Sequence, residues 1–91
     1  MGSVKGTFKG HAGPVTSIAI YDMVTPQGSR KLLITGSWDK TVKVWDVETQ
    51  IQFSSSAAHQ DFVKSVEMIK GLGLFASGST DRDILLWDIK T

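Results

Sequence analysis

The chain has no cysteine, only two prolines and one tyrosine, and almost no imbalance of charge. Each shortage closes a route. Without cysteine there are neither disulfides nor thiolate metal sites. Ten Lys and Arg against nine Asp and Glu leave a formal net charge of +1, which offers no basic stripe for nucleic acid. No apolar run approaches the roughly 18 residues of a membrane span, and the first five residues form no apolar signal region. The expected setting is intracellular, cytoplasmic or nuclear, with no nucleic acid and no membrane as partner. A length of 91 residues suggests one domain at most, and a hydrophobic fraction of 41% is that of an ordinary globular chain.

What is present is short strand and turn. Runs rich in β-branched and apolar residues cover 15–21, 31–37, 41–47 and 51–56, and the cycle restarts at 63–69, 74–79 and 84–89. Gly, Asp and Ser fill the gaps, as strand boundaries require. No long window carries a helical period. The class is all-β.

One phrase is written twice. Thr35-Gly36-Ser37-Trp38-Asp39-Lys40-Thr41-Val42-Lys43-Val44-Trp45-Asp46 returns as Ser77-Gly78-Ser79-Thr80-Asp81-Arg82-Asp83-Ile84-Leu85-Leu86-Trp87-Asp88, offset by 42 residues. His11 and His59 precede the two copies, offset by 48. The difference falls on Asp22 to Arg30, expected as a plain surface loop facing the short turn Lys70 to Gly73. A period of roughly 40–45 residues with Trp-Asp closing each unit is the signature of a β-propeller.

Gly10-His11, Ser37-x-Asp39 and Trp45-Asp46, then Ser79-x-Asp81 and Trp87-Asp88, resemble the WD-repeat family of β-propellers over residues 2–91. The second repeat departs by carrying Ala58-His59. The resemblance implies two four-stranded antiparallel blades, with strands a to d in each. Residues 11–58 supply a complete first repeat. Residues 59–91 supply strands a to c of the second. Residues 2–10 read as a strand d, cut to complete a blade whose first three strands lie at the C-terminus. That strand would come from another copy, or its place would be taken by the rest of a longer propeller.

The resemblance also implies a buried hydrogen-bonded tetrad in each repeat: His11, Thr35, Asp39 and Trp45, then His59, Ser77, Asp81 and Trp87. The chemistry fits such a role. A buried Trp N–H needs an acceptor, and a hydroxyl can accept from it while donating to His. Loss of Asp81 or Trp87 is expected to cost several kcal/mol. A hydrolase reading of Ser, His and Asp is disfavoured, because no Gly-x-Ser-x-Gly elbow is present and each set recurs with a Trp. No catalytic residue is assigned and no cofactor is expected. Two His without Cys or paired carboxylates make too few ligands for a metal.

In that family, partners often dock on the top face, where the b–c turns and the start of strand a emerge. The matching positions are Pro14, Thr16 and Trp38, then Phe62, Lys64 and Thr80. An exposed aromatic at Trp38 could anchor a protein or peptide, or could pack on its own or the adjacent blade. Ser54 to Ser56 reads as a polar outer strand.

Two blades cannot close a ring of the typical four to eight. A cyclic homo-oligomer would do so, with a tetramer of eight blades ahead of a trimer of six. The reading is thus a non-catalytic interaction scaffold that self-associates. The alternatives are a purely structural self-assembly module, or two blades of a longer natural adaptor.

Overall fold

The structure is a computed structural model that describes residues 6–69 and 73–88. Seven strands follow in chain order: β1 (Val15–Thr25), β2 (Gly28–Ser37), β3 (Val42–Asp46), β4 (Gln52–Ser56), β5 (Val63–Ile69), β6 (Leu74–Ser79) and β7 (Ile84–Asp88). They form two antiparallel sheets, β1-β2-β3-β4 and β5-β6-β7. Each sheet is a meander of neighbouring strands, the arrangement that close turn spacing favours. The two are internal copies down to their irregularities. A register shift at Val15/Ser17 in the first recurs at Val63/Ser65 in the second.

One expectation fails in an informative way. Asp22 to Arg30 is not a loop but the far end of the β1–β2 hairpin, paired through to Thr25 and Gly28. Pro26 and Gln27 make the turn, and Gly28 supplies the left-handed backbone at φ +123°. Strand alternation continues inward past Tyr21 to Met23, which packs against the core. Outward, Lys31 pairs with Asp22 at 3.0 Å, and Arg30 reaches Asp46.

The core lies between the sheets. Leu32, Ile34, Val42 and Val44 of the first meet Val63, Val66 and Phe75 of the second, flanked by Ala19, Tyr21, Met23, Met68 and Trp87. Close approach is possible because Gly36 has no side chain: a Cβ there would lie 2.5 Å from Val63 Cγ1. Polar groups seal the same joint. The Thr16 hydroxyl bonds the carbonyls of Gly36 and Val63, and Ser17 Oγ accepts from Val66 N–H at 3.0 Å.

Residues 6–10 form no strand in this single chain. Phe8 instead stands edge-on to Trp45, with centroids 5.7 Å apart and planes at 77°. The remaining residues of the expected strand d, 2–5, lie outside the described residues, as do 70–72 of the short turn and Ile89. Strand d of the second blade is therefore not seen, and β7 has one hydrogen-bonded neighbour, β6, among the described residues.

Candidate functional site

The repeated residues meet at one end of each sheet. In the first blade, His11 Nδ1 lies 2.9 Å from Asp39 Oδ2 and its Nε2 lies 2.6 Å from Thr35 Oγ1. Trp45 Nε1–H donates to the same Thr35 oxygen at 2.9 Å. In the second, His59 Nδ1 lies 3.1 Å from Asp81 Oδ2 and Nε2 2.7 Å from Ser77 Oγ, which accepts from Trp87 Nε1–H at 2.8 Å. A neutral imidazole protonated at Nδ1 satisfies every member. The ring donates to the carboxylate and accepts from the hydroxyl, and the hydroxyl oxygen accepts from the indole. Ala58 in place of Gly10 leaves this chain of bonds intact.

Each Asp also organises a turn. Asp39 Oδ2 accepts from Ala12 N–H, and Oδ1 from Thr41 N–H and the Thr41 hydroxyl. Asp81 accepts from the N–H groups of Gln60 and Asp83. The next residues, Lys40 and Arg82, both take the left-handed conformation at φ 74°, a cost these carboxylate-bonded turns offset. Burial pushes the Asp39 carboxyl up, but bonds from Thr41, His11 and Ala12 outweigh it and hold the group well below the usual carboxylate range. The N–H groups of Gln60 and Asp83, with His59 against a smaller opposing push from burial, hold Asp81 at about 2.

Several contributors lie in the repeated phrase but had no role assigned to them by the sequence. The Thr41 hydroxyl joins the first tetrad, whereas at the matching position of the second Asp83 bonds Asp81 through its backbone N–H. Asp46 accepts from the N–H groups of Glu48 and Thr49 at 2.9 and 3.1 Å, so it builds the turn after β3. The Thr49 N–H bond, aided by Arg30, lowers its carboxyl.

Above the tetrads, Pro14, Thr16, Trp38, Phe62, Lys64 and Thr80 are all exposed. Trp38 and Phe62, from different blades, stack 4.8 Å apart with planes 9° from parallel. They remain 46% and 37% exposed, so the pair is both an inter-blade contact and an accessible aromatic surface. The Thr16 hydroxyl is engaged in the blade joint rather than free. Backbone bonds from Trp38 N–H to Pro14 and from Thr80 N–H to Phe62 fix the two turns alike, at 3.0 and 3.1 Å. A groove between β3–β4 and β6–β7 is lined by Val42, Val44, Phe53, Phe75 and Trp87, with no histidine on it. Among the described residues, no group of three or more His, Asp or Glu could hold a metal, and no helix is long and apolar enough to cross a membrane.

Two blade sheets, each knit by a His–Thr/Ser–Trp–Asp tetrad, define a WD-repeat propeller unit. The chain belongs to the family of the WD domain, G-beta repeat, whose profile matches residues 2–46 and 50–88. It is similar to an uncharacterized WD repeat-containing protein of Schizosaccharomyces pombe, 39% identical over 93% of this chain and 23% of that one. It is also similar to the small ribosomal subunit protein RACK1 of Caenorhabditis elegans, 36% identical over 92% of this chain and 27% of that one. The rice protein RACK1y is 30% identical over 98% and 25%. The chain thus spans about a quarter of the length of these relatives. Its fold matches the computationally designed Ika4 protein with a TM-score of 0.78 at 25% identity, covering all of this chain and 51% of that one.

Proposed function

We propose that the chain supplies two blades of a closed propeller whose top face binds a protein or peptide segment without catalysis. The Trp38–Phe62 stack carries this reading. It presents two rigid, half-exposed rings, the residue type that anchors interfaces at low entropic cost. Pro14, Lys64 and Thr80 flank it. The tetrads serve as the frame: their polar atoms are consumed by one another, and the Ser or Thr hydroxyl points into a Trp–His chain rather than at a substrate. Panning a displayed peptide library on the parent and on Trp38→Ala tests the reading. Clones recovered by the parent should be lost by Trp38→Ala and weakened by Lys64→Glu. Equal recovery by all three proteins rejects the binding face.

The ring itself is proposed to close by self-association, four copies ahead of three, each contributing two blades. The exposed apolar residues on both outer faces support this, since a repeat unit does not bury its hydrophobic face alone. A purely structural assembly module would self-associate equally and recover no clones.

A further inference from the structure

The contact between the two blades is a template that the molecule has used once and displays twice more in halves. The first blade gives Val42 and Val44, 3% and 5% exposed, to the second blade's Val66 and Phe75. By the 42-residue offset, the second blade's own counterparts of Val42 and Val44 are Ile84 and Leu86. Those are 79% and 63% exposed. By the 48-residue offset, the counterpart of buried Val66 is Ile18, also exposed. One outer face thus offers the donor half of the joint and the other offers the receiving half.

The polar and steric details repeat as well. Gly36 makes room for Val63, and their counterparts are Gly78 and Val15. A Cβ on Gly78 would meet only Ser65 Oγ, at 3.4 Å, and Val15 is 47% exposed. Ser17 Oγ receives the N–H of Val66 across the joint. Its counterpart Ser65 is exposed and stands where it could receive the N–H of an Ile18. The two faces depart from the template by one charge each, of opposite sign. Lys43 stands where the second blade has Leu85, its ammonium bonded to Ser55, and Glu67 stands where the first blade has Ala19.

We propose that the outer face of the second blade, around Gly78, Ile84 and Leu86, docks onto the outer face of the first blade, around Val15 and Ile18, of a second copy of this chain. The contact is head-to-tail, the kind that closes a ring when the rotation allows. It rests on the self-association reading and specifies its surfaces.

Sedimentation velocity of the 91-residue chain tests it, with near-UV circular dichroism of the tryptophans as the readout of fold. The parent should sediment as one discrete species of three or four chains. Gly78→Leu fills the space reserved for Val15 of the second copy, and Leu86→Lys places a charge in the joint. Both should sediment as single chains and keep the parent's near-UV signal. If either keeps both the fold and the assembled mass, the docking faces are wrong while self-association stands. A parent that is a single chain at every concentration removes both. Loss of the near-UV signal in both variants also counts against the proposal, because an open Gly78 and an exposed Leu86 leave room for either change in one chain.

Discussion

The two blades carry one phrase and live in different surroundings. Trp45 is 2% exposed, held between β2 and β4 with the Phe8 ring packed edge-on against it. Trp87 makes the same indole bond and stacks on Phe75 at 5.9 Å, yet stays partly exposed because β7 is an edge strand among the described residues. The tetrad is therefore a local device, complete within one sheet. Burial of its Trp is a neighbourhood property that needs a fourth strand and an adjacent surface. Hydrogen-bond geometry survives where apolar burial does not, because three short bonds within one hairpin and its approach segment do not require another blade.

The contrast between the blades is greatest at the two indoles, and removing each in turn puts it to the hardest test. Trp45→Ala should cost about 3–5 kcal/mol, as for a fully buried aromatic, and Trp87→Ala distinctly less in the same single chain. Urea unfolding of both variants measures this, and equal losses would mean that the two indoles are equally enclosed. A smaller cut isolates the bond itself. Thr35→Val keeps the shape but strands the Trp45 N–H and a His11 nitrogen, costing about 1–3 kcal/mol. A change within error would show that the hydroxyl link holds nothing. The gentlest probe is acid. The Asp81 carboxyl is held at about 2 against its ordinary 3.8, so the unfolded chain takes up its proton first as pH falls. Its stabilising contribution is full above about pH 4 and fades between about pH 4 and 2. The unfolding midpoint should fall over that window and fall less in Asp81→Asn; a flat parent profile contradicts the assignment.

Much of the frame was legible because strand alternation and turn residues are local signals. The seven strands lie where β-rich runs are bounded by Gly, Asp and Ser, and the paired offsets of 42 and 48 residues mark matching positions without any structure. The hairpin extension was missed because Asp22, Thr25, Gln27, Ser29 and Arg30 dilute the apolar alternation. Met23 packs against the core there, and the turn chemistry at Pro26 to Gly28 was the available clue. The inter-blade joint was not legible at all. Whether Gly36 is a plain strand residue or a clearance for Val63 depends on which sheet faces lie together, and strand period does not encode that. Within the site, the eight tetrad positions followed from the resemblance to WD repeats. The order of their bonds, and the added hydroxyl of Thr41, depend on the turn geometry that Asp39 itself creates.

The aromatic stack has a further meaning for valency. Its two rings come from unlike positions in the repeats, since Pro14 corresponds to Phe62 and Thr80 to Trp38. The junction between copies would therefore pair Thr80 with Pro14, not ring with ring. On a ring of such chains the aromatic clamp would recur once per chain, at every second joint. A ligand with two anchors at that spacing would gain from effective concentration, while one with anchors a single blade apart would not.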